Sequence, residues 1–215
     1  DTDIVGIVMN PKSDFFPNQI GHVYGFGKPP NVFTTWQHHH AIDPEHNKEY
    51  DLTVYGIANW FTLLADNNPN MVDILFSPLF CVRVNTPIAQ HIRANRRLFL
   101  NKKAKHTFIG YAYAQLSKIA KKEKEGKRQA IIDKYGWDVK YGMHLVRLCY
   151  ECEQILTEGD LDLLRHSAEL KSIRNGEWKE QDVIDFFNQK ESYLEKLYQE
   201  SPLPHSPDMD ALKEL

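Results

Sequence analysis

The chain has 215 residues, 42% of them hydrophobic and 26% charged, with a formal net charge of −3. That balance is an ordinary globular one, enough for one good core or for a small domain with a helical appendage. No apolar run approaches the ~18 residues that span a bilayer, which argues against a helical anchor in these residues and leads us to expect a cytoplasmic protein with no membrane partner.

The first residues, Asp1-Thr2-Asp3, lead directly into the β-branched apolar run Ile4-Val5-Gly6-Ile7-Val8-Met9. Residues 3–9 are predicted to form a buried strand, followed by a turn at Asn10-Pro11-Lys12-Ser13-Asp14. With neither a signal peptide nor a starting Met, the chain is expected to begin inside a longer gene product. Residues 15–46 hold turn formers, aromatics and five histidines without a long period, and read as short strands and loops. Lys48 to Val54 is a second strand. Tyr55 to Ala65 has helical spacing at Ile57, Phe61 and Leu64, stopped by Asp66-Asn67-Asn68-Pro69-Asn70. Met71 to Phe76 is a third strand or a helical turn, ended by Ser77-Pro78.

After residue 85 the character changes. Helices are predicted at 86–94, 106–124, 138–157 and 180–199, with a short one near 166–174. The tail from Ser201, with Pro202, Pro204 and Pro207, is expected to wander over the surface. The fold class is therefore α+β, with a small α/β unit over 1–85, an α-helical region over 86–200 and a surface tail over 201–215. Cys81, Cys149 and Cys152 lack a second Cys or His pair at zinc spacing, and read as buried free thiols in a reducing compartment.

Charge is unevenly spread. From His91 to Arg128 twelve Lys and Arg stand against Glu123 and Glu125, about +10 in one stretch. Half of it, Lys118 to Arg128, suits a solvated helix face; the part from Arg93 to Lys105 suits phosphates.

The chemistry starts at the aspartates. Carboxylates at i and i+2 of a strand lie on one side of it and repel unless a cation sits between them, so Asp1 and Asp3 make a seat for a hard divalent ion such as Mg2+. Two-metal phosphoryl and nucleotidyl transfer needs a cluster of carboxylates, commonly three. Asp51, in the second strand, has Leu52 and Val54 pointing to the opposite face and can complete the set; Glu49 shares its face and is the rival.

These elements, with Tyr50-Asp51-Leu52, Asn68-Pro69-Asn70 and Leu75-Phe76-Ser77-Pro78, resemble the DNA polymerase β-like nucleotidyltransferase superfamily, and within it the RlaP type associated with RNA repair. Phe108-Ile109-Gly110-Tyr111-Ala112, Lys140-Tyr141-Gly142-Met143-His144-Leu145-Val146-Arg147-Leu148, Leu156-Thr157-Glu158-Gly159 and Ile173-Arg174-Asn175-Gly176-Glu177 extend the likeness to about residue 190. The resemblance implies that Asp1 and Asp3 are the metal-binding pair and Asp51 the third catalytic carboxylate, with Mg2+ or Mn2+ as cofactor and an NTP as substrate. It also implies a Gly-Ser turn before the D-x-D that holds the nucleotide phosphates. The sequence starts after that element, so the expected fold is an N-terminally truncated polymerase-β-type sheet with weak nucleotide binding. Asp73 stands where related proteins tend to carry Glu, a shorter reach for the same charge, and reads as architectural.

On the helix at 138–157, Val139, Met143, Val146 and Tyr150 form one apolar side and Leu145, Leu148, Cys152 and Ile155 a second. Lys140, His144, Arg147 and Glu151 form a polar stripe between them. Lys, His and Arg on one face can clamp a triphosphate, and the family places similar residues on its nucleotide-facing helix; the bland reading is a solvated stripe or an Arg147–Glu151 pair. His38-His39-His40 with His46 lacks the ligands for a zinc site and reads as a surface loop near the active site. Tyr24-Gly25-Phe26-Gly27 reads as a turn. The expectation is an enzyme, a nucleotidyltransferase moving an NMP from an NTP to an acceptor, with an RNA end, guided by Arg93 to Lys105, as the family's suggestion. The alternatives are a non-catalytic nucleotide sensor or RNA-binding module of the same fold, and a transferase that places an NMP on a protein.

Overall fold

The computed structural model describes residues 2–16, 32–121 and 126–214. Asp1, the Tyr24 to Gly27 turn and the basic residues Lys122 and Lys124 therefore lie outside the described residues. The chain divides into two compact units, Asp1–Leu64 and Ala65–Leu215. The division falls at the Asp66-Asn67-Asn68-Pro69-Asn70 stop signal, so residues 65–85 belong with the helical unit.

The first unit is built on a three-stranded sheet. Strand β1 (Thr2–Val8) pairs in parallel with β3 (Lys48–Gly56), and β2 (Thr35–Asp43) pairs antiparallel on the other side of β3. The β-branched run after Asp3 forms β1, but the strand is not buried as expected: its side chains are exposed or half-buried, because β1 is an edge strand of this sheet. β2 is a nine-residue strand with a bulge between His38 and Ala41, in a segment the sequence presents as short strands and loops: its side chains are mostly exposed, so it lacks the apolar alternation that marks a half-buried strand. A short helix α1 (Lys12–Phe15) follows β1, and Asn10 ties this corner together by donating to the Phe33 carbonyl at 2.7 Å and to Asp14 Oδ2 at 2.8 Å. β3 runs straight into helix α2 (Ile57–Ala65).

The second unit is helical throughout its described residues. Helix α3 (Pro69–Phe76) resolves the ambiguous Met71 to Phe76 stretch: Asn68 caps it by accepting from the Asn70 amide at 3.1 Å, and Pro69 occupies the first turn, where no amide donor is needed. Helices α4 (Pro87–Ala94) and α5 (Lys103–Ala120) follow, then α6 (Lys127–Tyr135), α7 (Val139–Glu158), α8 (Ser167–Arg174), α9 (Glu180–Glu200) and α10 (Met209–Lys213). α7 is the axis of the unit, packed by α5, α8 and α9. Val139, Leu145, Val146, Cys149, Cys152 and Ile155 are wholly buried along it, with Phe99, Phe108, Phe187 and Ile173 brought in from around it. Buried apolar side chains of this size each contribute roughly 1.5–3 kcal/mol, which makes α7 the main source of the unit's stability.

Two expectations are corrected here. The tail does not wander: Ser201 donates to the Leu156 carbonyl at 2.7 Å, Pro204 accepts from the Lys102 amide at 2.8 Å, and α10 buries Leu212. Cys81 is exposed, while Cys149 and Cys152 are buried free thiols. No helix among the described residues is long and apolar enough to cross a membrane.

Candidate functional site

In the first unit, the register of the sheet places Asp3 directly beside Asp51. Register partners on parallel strands point to the same face, so two carboxylates stand side by side there, with Val5 and Thr53 as the next pair along. The opposite face carries Leu52, aligned with Ile4 on one side and His38 on the other.

Asp51 is held in place from β2. Its Oδ1 accepts from the His40 amide at 3.0 Å, and the His39 ring brings Nδ1 to 3.4 Å from the same oxygen. The His40 amide, with the two imidazoles nearby, keeps the Asp51 carboxyl below the usual carboxylate range, so it is ionised at neutral pH. Glu49, the rival carboxylate, is engaged by the His40 ring. The histidine run thus belongs to a strand and not to a surface loop, and its contact with Asp51 is the feature of the site that sequence reasoning missed. The adjacent histidines were a visible signal; which of them meets Asp51 depends on a pairing register that no local pattern reveals.

Paired carboxylates are the donor type that Mg2+ or Mn2+ takes, and Asp3 and Asp51 are the described side chains that could supply it. Among the described residues no group of three or more His, Cys, Asp or Glu side chains is arranged to hold a metal ion. The third member of the expected set, Asp1, lies outside them.

The second unit holds the polar stripe of α7. Arg147 lies 3.3 Å from Asp73 on α3 and 3.4 Å from Glu151 one turn along α7. One guanidinium therefore serves two carboxylates that are largely out of water. Burial pushes Asp73 up to about 6 and Glu151 well above its ordinary value, against the pull of Arg147. Asp73 Oδ1, Glu151 Oε2 and Arg147 Nε find no hydrogen-bond partner among the described residues. A cavity of about 10 Å³ beside Arg147 and Glu151 is close to the size of one water. His144 is pushed down to about 4, first by burial and then by the charges of Arg147, Lys140, Arg128 and Arg174. At neutral pH it is an uncharged imidazole that can offer one donor and one acceptor, not a third cation.

The basic stretch is largely engaged within its own unit. Arg93 donates to the Leu75 carbonyl at 2.9 Å and to the Ser77 carbonyl at 2.5 Å, closing the end of α3. Arg96 lies over the Phe76 ring, 4.8 Å from its centroid. Arg97 pairs with Asp160, Lys103 with Asp66 and Lys105 with Glu195. A cleft of about 320 Å³ lies between the end of α3 and the segment after α7, with Arg93, Arg96 and Arg165 balanced by Glu158, Asp160 and Asp162.

Comparison with known proteins adds one result. A family model, RlaP, described as the RNA repair pathway DNA polymerase beta family, matches residues 1–215. No curated protein and no solved structure matches the chain.

Proposed function

The chain belongs to the RNA repair pathway DNA polymerase beta family, and from that premise we propose that it is a metal-dependent nucleotidyltransferase. The observation that carries the reading is the register pairing of Asp3 with Asp51, which sets two carboxylates side by side on one face of the sheet.

In the reaction we infer, an acceptor hydroxyl oxygen forms a bond to the α-phosphorus of an NTP. The bond from that phosphorus to the bridging oxygen of the β-phosphate breaks, pyrophosphate leaves, and the hydroxyl proton passes to solvent. Asp3 and Asp51, with Asp1 as the third carboxylate, would hold Mg2+ or Mn2+. Bound there, the ions would supply Lewis-acid stabilisation of the phosphoryl oxygens and lower the pKa of the attacking hydroxyl. The His40 amide favours the ionised form of the Asp51 carboxylate and orients it.

In the helical unit, Lys140 and His144 are proposed to contact phosphate, Lys140 as a point charge and His144 as a neutral donor. Arg147 joins them only by exchanging Asp73 or Glu151 for a phosphate oxygen. For an RNA acceptor the eligible cations are Arg97 and Lys103, whose side chains are 70% and 45% exposed. Exposed ion pairs of this kind are worth only ~0–1 kcal/mol, so a phosphodiester can replace the carboxylate partner.

The protein is incubated with each α-labelled NTP, Mg2+ or Mn2+ and a pool of RNA, beside an Asp51→Ala control. Label on RNA that disappears in the control supports the reading. Label on protein moves the acceptor to a polypeptide. Bound nucleotide with no transfer identifies a sensor of the same fold.

A further inference from the structure

Of the six Lys and Arg from Arg93 to Lys105, Lys102 is the one buried residue, only 8% exposed. Among the described residues it is also the one whose side chain meets no carboxylate and no carbonyl. A lysine so deeply placed is almost always paired. Its amide is used, donating to the Pro204 carbonyl at 2.8 Å, so the backbone is fixed while the ammonium stays without an acid.

What the ammonium does meet is the ring of Tyr198 on α9, 5.8 Å from its centroid and so at the outer edge of a cation–π contact. The same ring gathers three more basic side chains. Lys105 Nζ lies 5.9 Å from the centroid, and the His106 and His205 rings approach it edge-on at 5.1 and 6.2 Å. They arrive on separate segments, the start of α5 and the tail, and the Lys102–Pro204 hydrogen bond is what sets His205 beside α9. Among the described residues the acid that answers them is Glu195, which pairs with Lys105. His106 and His205 are exposed, so the cluster opens to solvent. Positive groups drawn together around one ring repel, and an anion placed among them reverses that.

We propose that Lys102, His106 and His205 bind a phosphate group of the nucleic-acid acceptor, with Tyr198 as the spacer that holds them apart. The inference rests on the RNA-acceptor reading for the identity of the ligand, and adds to Arg97 and Lys103 a site whose central cation has no carboxylate to give up. Phosphate suits these donors. The ammonium is a point charge, each imidazole can offer an N–H, and the tetrahedral oxygens of a phosphate accept from several directions at once. A planar carboxylate is better matched by the fork of an arginine. Lys102 is also the N-cap of α5, so the positive end of an 18-residue helix adds to the potential there.

The test measures binding of the full chain to a short oligoribonucleotide ending in a phosphate, to the same strand ending in a hydroxyl, and to inorganic phosphate. No NTP is present, so a failure of the transfer chemistry does not enter. Lys102→Met keeps the buried stem and removes the charge. It should weaken RNA binding by about tenfold and reduce the slope of log affinity against log salt by about one, which the loss of a merely structural lysine would not do. His205→Gln, on the exposed tail, should lose about threefold, while Lys213→Met, at a lysine 70% exposed on α10, should change little. Circular dichroism verifies that the variants fold. A loss confined to the phosphate-ended strand identifies a terminal phosphate as the ligand, and equal losses identify an internal phosphodiester. Affinity and salt slope unchanged in both Lys102→Met and His205→Gln, or an equal loss in Lys213→Met, would overturn the site. Inorganic phosphate held through Lys102 by a chain that binds no RNA would overturn the RNA reading and leave the anion site standing; a chain that binds neither would overturn both.

Discussion

Asp3 on β1 and Asp51 on β3 are register partners, two carboxylates abreast on one sheet face. Like charges in that relation oppose folding unless a cation joins them. In EDTA, Asp3→Asn should therefore raise the melting temperature slightly. The wild type should gain a few degrees on adding Mg2+ or Mn2+, and the variant should gain less. Scanning calorimetry with and without metal checks both.

Arg147 balances Asp73 and Glu151 in the helical unit. Arg147→Met should cost roughly 3 kcal/mol, the lower end for a buried pair because its guanidinium is 31% exposed. Adding Asp73→Asn and Glu151→Gln to that background should restore most of the loss, since no buried charge is then left alone. Urea unfolding of the single and triple variants measures it.

His144 links stability to pH. Its folded pKa, about 4, lies below its ordinary 6.5, so the unfolded chain takes up the proton first on acidification. The sign is fixed by that order: His144 costs nothing above about 6.5, and its penalty grows as pH falls to about 4. Asp73 acts oppositely, because its folded pKa of about 6 lies above 3.8 and protonation there favours the folded state. His144→Gln should thus gain stability relative to the wild type between pH 6.5 and 4, and the difference should vanish at pH 7.5. Paired urea titrations across that range check it.

Two helical glycines should respond with opposite signs. A Cβ at Gly142 in α7 would run into the Trp137 ring, while one at Gly110 in α5 meets nothing. Gly142→Ala should destabilise by about 1–3 kcal/mol through overpacking. Gly110→Ala should stabilise by about 0.5–1 kcal/mol through the helix preference of alanine. Thermal unfolding of the two variants side by side decides the matter.

Much of this architecture is legible in the residues because it is local. The β-branched run after Asp3 marks β1, Asn68-Pro69 marks the start of α3, and the long apolar periods of α7 and α9 mark themselves. Elements that depend on partners are harder to read. β2 exposes most of its side chains, so nothing in Thr35 to Asp43 fixes where a strand lies within a stretch that reads as short strands and loops. α6 is rich in Lys, Arg and Asp and shows no apolar stripe, which hides it. In the candidate site, the parity of the Asp51 strand is visible from Leu52 and Val54, but the alignment of Asp51 with Asp3 is a long-range register. The His39 contact depends on a bulge in that register, one step further from any local pattern. Asp73 and Glu151 lie far apart in sequence, and only the packing of α3 on the helical unit brings both to Arg147.

The most direct measurement follows the two ends of the NTP separately. Wild type, Asp3→Asn and Asp51→Asn are compared with α-labelled and γ-labelled NTP in the presence of Mn2+ and RNA. The expected result is α-label covalently attached to the acceptor and γ-label leaving as pyrophosphate, with both variants slower by at least ~100-fold, the scale of the several kcal/mol a bound ion supplies. Transfer of the γ-label, or variants that keep the wild-type rate, would contradict it.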